Sequence, residues 1–207
     1  MFRPRHIALL VLLLTVLLSA DDKKKQRQLY FKPDQTADLE PAKVITAKQE
    51  CENWALAAGL ETLFKREGVA FDQKYWVTRL SGAEICRQEL PSPDDFAHAV
   101  SQDIVLPDGR HVHLEATLVS GAPTDIDAII AGIKRQQLTL LLWHGHPYYL
   151  TGVTYDERIG ANGWRQFEIR ELRLADTFEK LPAITFQKGR DNTDEIDGLV
   201  TASVTQQ

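Results

Sequence analysis

The stretch QECENWALAAGLETLF, Gln49–Phe64, decides how the rest of the chain is read. Leu56, Leu60, Leu63 and Phe64 recur at three- to four-residue spacing, which puts them on one stripe of a helix. Gly68 is placed to end that helix, because a residue without Cβ takes up the left-handed conformation past the last turn at no steric cost. Gly59 weakens the helix in isolation but permits another element to approach its backbone closely. Cys51 stands at the leading end, where free backbone amides and the helix dipole stabilise a thiolate.

Working outward, YWVTRL offers Tyr75, Trp76, Val77 and Leu80 as the apolar surface of a second short helix, and PSPDDFAHAV predicts a third, capped one. The period then changes. In DIVLPDGRHVHLEATLVSG, Val112, Leu114 and Ala116 alternate with polar residues, and Asp108-Gly109 supplies a reversing turn, so a hairpin is expected. Asp125–Lys134 suits a helix with Ile126, Ile129, Ile130 and Ile133 on one stripe, and LTLLLW after it is a core strand. Gly145 punctuates the run before PYYLTGVTYDE, and GWRQFEIRELRLAD is a further alternating segment. An early helix followed by a mostly strand-forming second half predicts α+β layers around one core.

The ends read differently. MFRPRH followed by the apolar run IALLVLLLTVLLS is a short positive region and a compact hydrophobic one, and as a helix Ile7–Ser19 extends only about 20 Å. Residues 1–20 are expected to be a signal peptide or, alternatively, an N-terminal anchor that tethers the chain to a membrane. The protein is thus expected to be exported, to a periplasmic or extracellular location. Residues 21–47, with Lys23, Lys24, Lys25, Pro33 and Pro41, predict an exposed spacer and irregular lead-in; residues 48–187 the folded domain; and residues 188–207, rich in Gly, Asp, Asn and Thr, a loose tail.

With 24 Lys+Arg against 29 Asp+Glu the net charge is -5, which argues against a nucleic-acid partner. No phosphate-binding glycine loop occurs, and no cofactor is implied. His111, His113 and Glu115 share a face if RHVHLE is a strand, but without the compact HExxH pattern they read as the polar side of a hairpin, so no metal site is assigned. Two cysteines, Cys51 and Cys86, leave two readings open: a disulfide, favoured in an oxidising compartment, or a free thiol nucleophile at Cys51.

QECENWALAAGLETLF, with LLLWHGHPYYLTGVTYDE and ELRLADTF downstream, resembles the papain-like and C39-like cysteine peptidase superfamily over roughly residues 48–178. The resemblance implies a fold in which an N-terminal central helix packs against a C-terminal antiparallel β-sheet. It also implies a cysteine starting that helix, a histidine at a later strand start, an Asn or Asp orienting the imidazole, and an upstream Gln stabilising the oxyanion. Carried over, these are Cys51 as nucleophile, His146 rather than His144 as proton-transfer group, Asp176 ahead of Asn162 as orienting residue, and Gln49 as oxyanion donor.

Two departures stand out. Gln49 is only two residues before Cys51, closer than the family's spacing. In the papain-like register the residue directly before Trp54-Ala55 is the nucleophile, and here it is Asn53. The implied activity is hydrolysis of peptide or peptide-like amides through an acyl-thioester, with a peptide or protein as substrate. The alternative is an inactive scaffold, bridged Cys51–Cys86, that binds peptide or cell-envelope material. Trp54, Trp76, Tyr148 and Tyr149 either line a cleft or fill the core.

Overall fold

The computed structural model describes residues 30–40, 47–87, 90–177 and 184–207; the expected export segment and the lead-in before Tyr30 lie outside them. The elements run β1 (Tyr30–Asp38), α1 (Ala55–Arg66), α2 (Gln73–Ser81), α3 (Pro93–Val100), β2 (Gln102–Val105), β3 (His111–Ser120), α4 (Ile126–Lys134), β4 (Leu140–Trp143), β5 (His146–Ile159), β6 (Arg165–Asp176), β7 (Ile184–Gln187) and β8 (Ile196–Gln206). They form two compact units: 36–154 with 169–207, and the described residues up to Gln35 with 155–168.

In the larger unit the chain is α+β. Its sheet has the strand order β2-β3-β8-β4-β5-β6-β7, and the neighbours β2/β3, β3/β8, β8/β4, β4/β5 and β6/β7 pair antiparallel. Among the described residues, three of the four α-helices start where a short polar side chain accepts from a backbone N–H of the first turn: Asp72 from Tyr75, Ser92 from Asp95, and Asp125 from Ala128. The start of α1 has no such cap.

Helix α1 is buried along most of its length, and Leu56, Leu60, Leu63 and Phe64 are all in the core. Its companion α2 supplies Trp76, fully buried and stacked on Phe64 with ring centroids 4.7 Å apart. On the sheet side, Gly59 meets Leu140 of β4: a Cβ added at Gly59 would lie 2.5 Å from Leu140 Cδ1. Thr62 and Tyr149 tie helix to sheet through a buried hydroxyl pair at 2.7 Å. Of the four aromatic residues considered as cleft lining, Trp54, Trp76 and Tyr149 are buried in this core.

Two expectations about the ends are corrected. The lead-in is not irregular throughout, because Tyr30–Asp38 is strand β1. It carries Pro33, which lacks an N–H and is tolerated at an edge. More consequentially, the tail expected to be loose contributes β8, which lies between β3 and β4 with Val112 opposite Gln206, Ser120 opposite Gly198, and Leu140 opposite Val200. Ile196, Gly198 and Val200 are buried at every second position, the period of a strand with one face inward.

The smaller unit is the far end of the β5–β6 hairpin beside the start of β1. Gly163 closes the turn at φ 83°, Tyr155 meets Phe167 edge-on at 5.7 Å, and Lys32 pairs with the buried Glu157 at 3.1 Å.

Candidate functional site

The site lies in the larger unit, where the start of α1 faces the start of β5. Trp143 pairs with His146 across a two-residue loop, and both loop residues have positive φ, 52° at His144 and 72° at Gly145. That is the hairpin turn whose twist matches its strands, and it explains why a glycine follows His144. The turn is pinned to the approach and start of β8: His144 N–H donates to the Glu195 carbonyl (3.2 Å) and Gly145 N–H to the Asp197 carboxylate (2.5 Å). The tail expected to be loose therefore anchors the turn that precedes His146.

His146, the first residue of β5, has its Nε2 3.0 Å from Asp176 Oδ1 at the end of β6. The carboxylate can only accept, so Nε2 carries the proton; in the neutral ring Nδ1 keeps a lone pair for a ligand or an acid. The imidazole is one-third exposed and Asp176 is nearly covered. Tyr148 packs its ring 4.7 Å from the imidazole. Burial, and secondarily the charge of Asp176, push the Tyr148 phenol above its ordinary range. Asn162, the other orienting candidate, is in the smaller unit, where its Oδ1 accepts from Trp164 N–H at 3.4 Å across the hairpin turn. His144 faces Glu195 at 3.4 Å instead.

At the other wall, Cys51 is bonded to Cys86, with Cα atoms 6.0 Å apart. The nucleophile expected at Cys51 is therefore corrected for this oxidised form: a sulfur in a disulfide has no thiolate to offer. Gln49 is buried, and its side-chain N–H donates to the Cys51 carbonyl (2.7 Å), so this donor holds the turn before α1 rather than an oxyanion. Gln73 was missed from the sequence. Fully buried, it accepts from Glu50 N–H (2.9 Å) and donates to the Lys48 carbonyl (2.8 Å), fixing the same turn. A polar residue on the otherwise apolar side of a short helix was the available signal.

Between these walls is a cavity of about 390 Å³. Glu52, Asn53, Ala55 and Leu56 line it from the start of α1, Gly145, His146 and Pro147 from the start of β5, and Leu90 closes it. Asn53 thus shares the cavity with His146. Its side-chain N–H donates to the Cys86 carbonyl at 3.1 Å, which leaves its Oδ1 as an acceptor. The uncapped start of α1 leaves first-turn N–H groups as donors.

His113, considered as a metal ligand with His111 and Glu115, binds Asp103 at 2.7 Å across the β2–β3 pair. Among the described residues no group of three or more His, Cys, Asp or Glu is gathered to hold a metal ion. No helix among the described residues is long and apolar enough to cross a membrane. In comparisons with known proteins, the chain matches no family model, no curated protein and no solved structure.

Proposed function

We propose that this is an exported, non-catalytic scaffold of papain-like type that binds peptide in the cleft between the start of α1 and the start of β5. The observation that carries the reading is the lining of one cavity: His146, oriented by Asp176, shares it with Asn53, the residue directly before Trp54-Ala55, while the neighbouring sulfur is bonded to Cys86. An amide is no nucleophile of the kind that exchanges a proton with imidazole. It is a good partner for a peptide bond. Asn53 Oδ1 accepts an N–H and the first-turn amides of α1 donate to a carbonyl, so a peptide backbone meets both halves of its hydrogen-bonding need. Ala55, Leu56, Leu90 and Pro147 supply the apolar surface against which side chains pack. The apolar N-terminal run and the disulfide favour an oxidising compartment. Bonding of Cys51 is the reason the peptidase reading is not adopted.

The test uses the oxidised protein and a mixture of random-sequence octapeptides, followed both by mass spectrometry for cleavage and by amide NMR for binding. The expected result is no cleavage, with shifts concentrated at Glu52–Leu56, Gly145 and His146. Time-dependent cleavage that His146→Ala abolishes would overturn the reading.

A further inference from the structure

We infer that the Cys51–Cys86 bond is a redox latch on the cleft, opened by a dithiol reductant. The link to ligand binding rests on the peptide-binding reading above; the latch itself does not. The segment Ala83–Arg87 follows α2 and every residue of it is exposed. The disulfide, the Asn53 side-chain N–H to the Cys86 carbonyl (3.1 Å) and the Trp54 indole N–H to the Ile85 carbonyl (2.8 Å) link it to the front of α1. Ile85 remains 46% exposed and the Lys74–Glu84 ion pair (3.0 Å) that joins the segment to α2 is itself exposed, so little apolar burial keeps the segment in place once the covalent link is gone.

Access favours the reaction. Cys86 is exposed and Cys51 half-buried, so an incoming thiolate reaches the Cys86 sulfur more readily. Attack there forms a mixed disulfide and releases Cys51 as thiolate, which takes a proton. The second thiol of the reductant then displaces Cys86, so that one protein disulfide and one dithiol become two protein thiols and one oxidised reductant.

Asn53 couples this to the cleft. The Cys86 carbonyl fixes the amide of Asn53, and Asn53 lines the cavity that His146 also lines. Releasing Cys86 frees that amide to rotate and removes the fixed acceptor that a bound peptide meets.

The experiment compares hydrogen exchange of the full chain before and after treatment with dithiothreitol, and in C51S/C86S, together with binding of the octapeptide mixture. The expected result is exchange at Ala83–Arg87 faster by about tenfold or more, protection in β4 and β8 lowered but retained, and peptide affinity lowered several-fold in both forms that lack the bond. Unchanged exchange at Ala83–Arg87, or loss of protection throughout the sheet, would overturn the latch, the second because the bond would then be a staple of the whole fold. Release of the segment with undiminished peptide affinity would overturn its control of the cleft. Release with no peptide bound in either state would leave the latch standing and overturn the peptide reading instead.

Discussion

At the residue scale, function turns on which polar atoms are engaged and which are free. His146 has Nε2 committed to Asp176, and Asn53 has its amide nitrogen committed to Cys86. Tyr149 is engaged in the same way inside the core. Its hydroxyl sits on Thr62 Oγ1 at 2.7 Å and donates to the Ala58 carbonyl at 3.2 Å, and burial pushes the phenol far above its ordinary value. A raised phenol contributes stability that is fully present below the unfolded value near pH ~10 and is lost as pH rises beyond it, because the unfolded chain releases its proton first. Tyr149→Phe is therefore expected to cost about 1–2 kcal/mol at neutral pH, as the hydrogen bonds are lost. It should also flatten the alkaline limb of the stability curve, which urea titrations between pH 7 and 11 would read. An equally steep alkaline limb in the variant would contradict this.

At the element scale, contact between α1 and the sheet depends on Gly59. An added Cβ meets the fully buried Leu140 at 2.5 Å, so Gly59→Ala is expected to destabilise by roughly 1–3 kcal/mol. Helix propensity alone predicts a gain of about 1 kcal/mol. The sign of the change in Tm separates the two effects. Helix α1, the PDG hairpin, α4 and the strand ending at Asp176 were legible because each carries a period near 3.6 or 2 in its apolar residues. Strand β8 was not. IDGLVTASVTQ puts Ala, Ser and Thr where larger apolar residues would mark the pattern, and it follows a Gly/Asp/Asn-rich run, so composition concealed a strand whose Val and Thr suit a sheet. A chain ending at Glu195 is expected to give no cooperative thermal transition by circular dichroism, since β3 and β4 both pair through β8. A cooperative melt from that chain would show β8 to be dispensable.

Across the whole molecule, the contact between His146 and Asp176 was legible through the papain-like resemblance, which pairs a histidine at a strand start with an acid at a later strand end. What opposes them did not follow, because two registers competed, one placing Cys51 and the other Asn53 at the front of α1. Only three-dimensional placement distinguishes a residue lining the cavity from one bonded to Cys86, 35 positions away. That closed loop limits the unfolded chain, and C51S/C86S is expected to lower stability by about 3–4 kcal/mol as an upper estimate from loop entropy. Unchanged denaturant midpoints would place the bond outside the cooperative fold.

In the proposed cleft, Asn53 occupies the position from which a side chain addresses His146. Asn53→Cys tests this claim most directly, in protein whose Cys51–Cys86 bond has been verified by mass mapping, by following alkylation of the new thiol with iodoacetamide from pH 5 to 9. An isolated thiol reacts as thiolate only near its ordinary value of about 8.5. The thiol introduced at position 53, in the cavity it shares with the imidazole, is predicted to react about tenfold faster at pH 6 than it does once His146→Ala is added. Identical rate profiles with and without His146 would contradict the claim.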